Sequence, residues 1–323
     1  MRAVVCKEYG TPEALVVEDV PEPLPGPGEV VVAVGAAAVN FPDVLFIANK
    51  YQVSIPPPFV PGSEFAGTIT SVGRGVTDLA PGDRVFGAVM VGAFAERVCV
   101  PAAGLTRIPD GVALSDAAAF WVAYATSYHS LRSVAEVREG ETVLILGAAG
   151  GVGLAAVQLA CVLGARVIAA ASSAEKLEVA ARHGAEGLIN YASENLRERL
   201  RALAPGGVNV VIDPVGGPDA ALALCGMAPA GRYVVVGFAS GQIPDFAANL
   251  ILLKNARVCG FEMRTFGEID PEGQRRNEAE LIELLTQGRV QPHIGKSFPL
   301  LEAATALRYV ADRRATGKVL LTT

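Results

Sequence analysis

The chain has no dense run of Lys or Arg, no Cys-x-x-Cys pair, and only three histidines and one tryptophan in 323 residues. No uninterrupted apolar stretch approaches the roughly 20 residues needed to span a bilayer. Each shortage excludes something. With a formal net charge of -6, a phosphate-backbone or anionic-membrane partner is not expected. Cys6, Cys99, Cys161, Cys225 and Cys259 are far apart and suggest neither a disulfide framework nor a zinc knuckle; they read as small buried hydrophobes. His129, His183 and His293 are equally scattered, so no metal site is expected. The opening MRAVVCKEYG lacks the basic start and apolar core of a signal peptide. The reading is a soluble cytoplasmic protein without nucleic-acid or membrane partners.

What is present is apolar sequence in two textures. At 51% hydrophobic composition, the chain is long enough for two cores, because single cores rarely grow beyond about 250–300 residues. Residues 1–122 carry short Val-rich runs punctuated by Pro and Gly, such as EVVVAVGAAAV and DRVFGAVM, which predict an antiparallel, barrel-like β domain. PPPFVPG within it reads as a stiff surface connection. Residues 123–260 alternate strand-like and helix-like segments (TVLIL, RVIAAA, NVVID, with helices between), which predicts a parallel sheet covered on both faces. Residues 261–323 hold two amphipathic helices and a last strand, GKVLLTT. With too few strands for a sheet of their own, they are expected to complete the first domain and leave a cleft between the domains.

At 147–153 the chain reads GAAGGVG, after the apolar TVLIL and before LAAVQLA. In a strand-turn-helix dinucleotide site, one small residue allows the tight turn, a second lets backbone approach the pyrophosphate, and a third lets helix pack on strand. Ala148, Gly150 and Gly153 are assigned to those places, with Gly147 and Gly151 adding room. The amides opening the following helix would face phosphate. An NAD site usually has an acid about 20 residues on, but RVIAAASSAEK offers Ser172, Ser173 and Lys176 instead, with Glu175 too late to bind the ribose. The expected cofactor is NADPH.

GAAGGVGLAAVQLA, AVNFPDV, PGSEFAGTITSVGRGVTDLAPGDRVFG and ATGKVLL resemble, in order, the zinc-free, zeta-crystallin-like quinone oxidoreductase branch of the medium-chain dehydrogenases/reductases. The resemblance implies an α/β protein with a GroES-like β-barrel catalytic domain and a Rossmann, doubly wound domain, usually a homodimer. It further implies roles for individual residues. Asn40 falls in the substrate and nicotinamide cleft, where it is the one residue given a catalytic positioning role, and Thr126 falls beside the nicotinamide. Gly151 and Val152 are at the pyrophosphate turn, Lys176 on the 2′-phosphate, Tyr191 near the adenosine end, and Arg314 near the adenosine phosphate. Gly237, Phe238 and Phe261 line the nicotinamide.

Zinc-dependent relatives carry Gly-His-Glu where this chain has Gly62-Ser63-Glu64, and a four-cysteine lobe that is missing here. Glu64 then reads as structural, as does Asp43. Val44, Leu45 and Phe46 stand where some members of the branch have a tyrosine. Hydride from NADPH needs no metal when the acceptor delocalises charge, as quinones and α,β-unsaturated carbonyls do. Three readings remain open. One is an NADPH:quinone oxidoreductase. Another is a reductase of conjugated enals, enones or acryloyl-CoA-type thioesters, with Lys50 and Arg264 at a basic mouth. The last is a non-catalytic NADPH-binding protein. No Ser/His/Asp or Cys/His arrangement is visible, and water is the expected proton source.

Overall fold

The computed structural model describes residues 1–323, which form two compact units. One joins Met1–Val122 to Gln291–Thr323, and the other is Ala123–Val290. No helix in either is long and apolar enough to cross a membrane.

In the first unit the Val-rich run becomes the 11-residue strand Glu29–Val39. It pairs antiparallel with Glu64–Val72, Arg97–Pro101 and the C-terminal strand Lys318–Thr322 within a seven-stranded sheet. β-Branched side chains suit this half-buried pleated surface, and Val30, Val32, Phe65, Ile69, Val85 and Phe94 form the core beneath it. Ile294–Pro299 adds parallel to the C-terminal strand. One charge pair interrupts this apolar interior. Lys318 Nζ lies 2.8 Å from Glu64 Oε2, with side chains only 4% and 0% exposed.

In the second unit six parallel strands run in the order Gly187–Asn190, Arg166–Ala171, Thr142–Leu146, Val208–Asp213, Met227–Val235, Arg257–Gly260. Numbered along the chain this is 3-2-1-4-5-6. The order reverses between Thr142–Leu146 and Val208–Asp213, the switch point beyond whose carboxyl ends such sheets bind ligands. The inner strands are buried almost throughout, which is why they read as continuous apolar runs.

The expected return to the first unit at residue 261 is corrected. It occurs at Gln291. Residues 261–290 belong to the second unit because the helix Pro271–Thr286 buries Leu281, Leu284 and Leu285 there. Asn277 on the same helix donates to His129 Nδ1 at 2.9 Å and Ser133 Oγ at 2.8 Å. Burial pushes the His129 imidazole down to about 4, against the nearby Asp270 charge, so the ring is a neutral acceptor at physiological pH. Its amphipathic pattern announced a buried face, but a pattern cannot say against which core. The helix Met263–Ile269 and the strand Ile294–Pro299 were not foreseen.

Removing one partner of a buried ion pair leaves an uncompensated charge, whereas removing both leaves none. Lys318→Met is therefore expected to lower the unfolding free energy by about 3–5 kcal/mol. Lys318→Met with Glu64→Gln should recover most of that loss. Urea titrations of the three proteins check this, and equal losses for the single and double variants would contradict it.

Candidate functional site

The strand Thr142–Leu146 ends at Gly147, whose φ of 59° is a left-handed conformation that favours glycine. A Cβ there would also stand 2.6 Å from Val215 Cγ2. Gly150 is the N-cap of the helix Gly151–Val162. A Cβ on Gly153 would lie 2.2 Å from the Gly147 carbonyl oxygen, so glycine is required where helix meets turn. The small residue that makes the tight turn is thus Gly147. Ala148, assigned that place from the sequence, is fully buried and does not have a positive φ. The first-turn amides of Gly151, Val152 and Gly153 have no intrahelical acceptor and sit at the positive end of the helix dipole, a cradle that fits a pyrophosphate. Ser127 Oγ donates to Val152 O at 2.8 Å, which brings the helix Trp121–His129, and Thr126 with it, against this turn.

At the end of the neighbouring strand Arg166–Ala171, Ser173 caps the helix Ala174–Arg182 by accepting from Lys176 N. Lys176 Nζ folds back to donate to Ser172 Oγ at 3.2 Å. Tyr191 N donates to Ala171 O, so the tyrosine follows the adjacent strand at the same end of the sheet. Ser172, Ser173 and Lys176 thus gather at the strand end with the Tyr191 backbone beside them, and offer hydroxyls and a cation to an anion. Glu175 is instead hydrogen-bonded to Ser173, which holds its carboxyl below the usual range.

Beyond the switch point, Gly237 N donates to Asp213 O, and Phe238 crowds Gly216 closely enough that a Cβ there would meet its ring at 3.0 Å. Asp213 organises this region and was not singled out from the sequence. Its Oδ1 accepts from Val215 N and Gly216 N, both at 2.8 Å, and its Oδ2 accepts from the buried Tyr233 hydroxyl at 2.7 Å. An acid closing an apolar strand before Pro-Val-Gly-Gly was the available signal. Phe261 N donates to Val235 O, and its ring stacks on His129 at 6.0 Å.

Asn40 and Arg314 belong to the first unit. Arg314 is exposed and lies over the Tyr309 ring at 5.0 Å. Lys50 is also exposed, while Arg264, in the second unit, is held by Glu262 at 3.2 Å. Asn40 caps the helix Phe41–Ile47 and is 8% exposed. Its Nδ2 donates to Glu64 Oε2 at 3.1 Å and Ser63 Oγ at 3.3 Å, and its Oδ1 accepts from Lys318 Nζ at 2.5 Å. Glu64 Oε1 accepts from Val122 N at 2.8 Å. Glu64, read from the sequence as structural, has three hydrogen-bond partners, and Lys318 is the residue that the sequence reading missed. No group of three or more His, Cys, Asp or Glu side chains could hold a metal ion.

Asp43 completes this cluster. Its Oδ2 accepts from Asn40 N at 2.7 Å, and its Oδ1 is buried without a hydrogen-bond partner. Burial pushes its carboxyl up to about 7; the Asn40 amide, the Ser63 hydroxyl and Lys318 oppose the rise and Glu64 adds to it. The native state therefore retains a proton that the unfolded chain releases near pH 3.8. This contribution to stability is complete below that pH and is lost as pH rises toward 7. The unfolding free energy should fall by about 1.4 kcal/mol per pH unit over that interval from this group alone. Asp43→Asn should flatten the slope, and an unchanged slope in urea titrations from pH 5 to 7.5 would refute the assignment.

Residues 151–285 match the family described as zinc-binding dehydrogenase, and residues 26–110 match the alcohol dehydrogenase GroES-like domain. Quinone oxidoreductase-like protein 2 from Bos taurus is 41% identical over 323 residues, covering 99% of this chain and 92% of the relative. A mycobacterial protein solved in complex with NADPH superposes with a TM-score of 0.92 at 33% identity, covering 100% of both chains. Escherichia coli quinone oxidoreductase complexed with NADPH gives a TM-score of 0.91 at 29% identity, again covering 100% of both. The sheet order, the glycine turn and this similarity over nearly the full length together place the chain in the zinc-free, quinone oxidoreductase-like family of medium-chain dehydrogenases/reductases, with a GroES-like domain and a Rossmann-like domain.

Proposed function

We propose that this oxidoreductase is an NADPH:quinone oxidoreductase. The observation that carries the cofactor preference is the end of the strand Arg166–Ala171, where Lys176 and Ser172 stand in place of a ribose-binding acid. Bound NADPH supplies the hydride. The chain's own residues hold it in place. The amides of Gly151, Val152 and Gly153 take the pyrophosphate, with Gly150 and Ala148 shaping the turn, and Lys176, Ser172 and Ser173 take the 2′-phosphate. Tyr191 and Arg314 serve the adenosine end, and Thr126, Gly237, Phe238 and Phe261 flank the nicotinamide. Asn40 faces the nicotinamide and the acceptor. Orientation at near-attack distance is the chief contribution asked of such a site. With Arg264 held by Glu262, the basic mouth that a CoA thioester would need is weakened, which favours a compact acceptor.

The proposal extends to assembly as a homodimer. The strand Arg257–Gly260 is paired on one side only. On it Val258, and just before it in the chain Leu252 and Leu253, are 36%, 75% and 76% exposed. An open apolar sheet edge is a template for pairing, and a second copy of the same edge can cover it.

Oxidation of NADPH followed at 340 nm against 1,4-benzoquinone, 9,10-phenanthrenequinone, crotonaldehyde, 1-octen-3-one and acryloyl-CoA tests the acceptor class. Quinone turnover supports the reading. Turnover of conjugated carbonyls alone replaces it, and tight NADPH binding without any turnover makes the chain a binder. Lys176→Ala should lower kcat/KM for NADPH about 10- to 100-fold, the loss of one charge-assisted contact, and leave NADH unaffected. For the assembly, Val258→Lys should convert a dimer to a monomer in light scattering; a wild-type monomer would rule the dimer out.

A further inference from the structure

Asp213 ends the strand Val208–Asp213 and is fully buried. Buried charges are ordinarily paired with an opposite charge. Arg232 in the same unit follows that rule, since Glu141 meets its guanidinium at 2.8 and 2.5 Å. Asp213 does not. The three groups that donate to its carboxylate, the Val215 and Gly216 amides and the Tyr233 hydroxyl, are all neutral. Such donors satisfy the oxygens but leave the unit of negative charge in place. Two neighbours register it. Burial, and after it the Asp213 charge, push up both the Asp219 carboxyl and the Tyr233 phenol.

The position of this charge is set by backbone. Gly216, held through its amide by the carboxylate, has a φ of 67°. A Cβ there would stand 2.7 Å from the Gln242 carbonyl oxygen and 3.0 Å from the Phe238 ring. The Asp213 carbonyl accepts from Val236 N at 2.9 Å and Gly237 N at 3.2 Å, while Ala239 N and Ser240 N donate to Pro214 O and Val215 O at 3.1 and 2.9 Å. Residues 213–217 and 236–242 are thus stitched together at the carboxyl end of the sheet. All of them lie in the second unit.

We propose that Asp213 is a positioning residue for these two segments whose unpaired charge biases the cofactor site toward the oxidised nicotinamide. This rests on the reading above that Gly237 and Phe238 flank that ring. Loss of a hydride leaves the nicotinamide with a positive charge that NADPH lacks, and fixed protein charge is one means by which a site tunes its cofactor. In a buried, low-dielectric setting that attraction is weakly screened. The site therefore holds NADP+ more tightly, relative to NADPH, than it would without the charge, and the bound cofactor becomes the stronger hydride donor.

The test is calorimetric titration of wild type and Asp213→Asn with NADP+, NADPH and 2′,5′-ADP, which has no nicotinamide. Asn keeps the shape and the hydrogen bonds, because its oxygen accepts from the two amides and its nitrogen donates to the Tyr233 oxygen. Only the charge is removed. The ratio of the Kd for NADP+ to that for NADPH should rise about tenfold, equal to about 30 mV in the potential of the bound two-electron couple. Binding of 2′,5′-ADP should be unchanged.

Equal weakening of NADP+ and NADPH marks a purely structural residue and overturns the proposal. Phe238→Ala separates that result from failure of the reading beneath it. If Phe238→Ala weakens NADPH and spares 2′,5′-ADP, the ring is flanked as read, and an unmoved ratio in Asp213→Asn overturns the role of the charge alone. If it weakens neither ligand, the reading of Phe238 is overturned and the proposal with it. Should Asp213→Asn fail to fold, Tyr233→Phe keeps the charge and removes a donor that partly offsets it. The ratio should then fall, and an unmoved ratio in that folded variant overturns the proposal.

Discussion

Lys318 brings into the interior of the antiparallel unit an ammonium that Glu64 must balance, and the groups around that pair have little freedom left. Glu64 takes up the Val122 amide with its second oxygen, so the strand Glu64–Val72 is tied to the start of the helix Trp121–His129. Asn40 is oriented from both ends, and its own backbone amide is taken by Asp43. Four charged or polar side chains, drawn from distant parts of the chain, thus share one hydrogen-bonded network in which each partner limits the others. In a low-dielectric interior such networks must be satisfied nearly completely. The exception, Asp43 Oδ1, is consistent with a carboxyl that burial keeps close to its protonated form.

In the parallel unit the ordering principle is backbone, not charge. The turn after Thr142–Leu146 works because nothing projects from it. Gly147 adopts a left-handed conformation, and Gly153 lets the helix approach the Gly147 carbonyl. Asp213 plays the corresponding part across the switch point, where its carboxylate gathers two amides and the Tyr233 hydroxyl and so shapes the loop beside Gly237 and Phe238. A phosphate cradle and a braced loop at the same end of one sheet are what a dinucleotide requires.

Much of this was legible in the sequence, for identifiable reasons. A strand, a cluster of small residues and a helix in immediate succession is a local pattern, and GAAGGVG could be recognised without tertiary information. Which small residue makes the turn could not be, because several stand side by side there and the left-handed φ and the crowding by Val215 that single out Gly147 belong to the folded chain. Lys318 was invisible for a different reason. A single Lys opening the apolar strand KVLLT reads as a solvated end, and its burial depends on Glu64, 254 residues away. The helix Pro271–Thr286 was recognised as amphipathic but assigned to the wrong core, since its partners His129 and Ser133 lie 148 and 144 residues upstream.

The pairing of Lys318–Thr322 with Glu29–Val39 also constrains the order in which the molecule can be made. The central strand of the first sheet meets a neighbour that follows the whole of the second unit in the chain, and Lys318 reaches Asn40 across 278 residues. The second unit is a single continuous stretch, Ala123–Val290, and can fold while the first still lacks a strand. Contacts of such long sequence separation form slowly, and domains completed first during synthesis fold as units. The unit holding Asn40 is therefore the later of the two to be finished, and until it is, Glu64 stands in the chain without its cation.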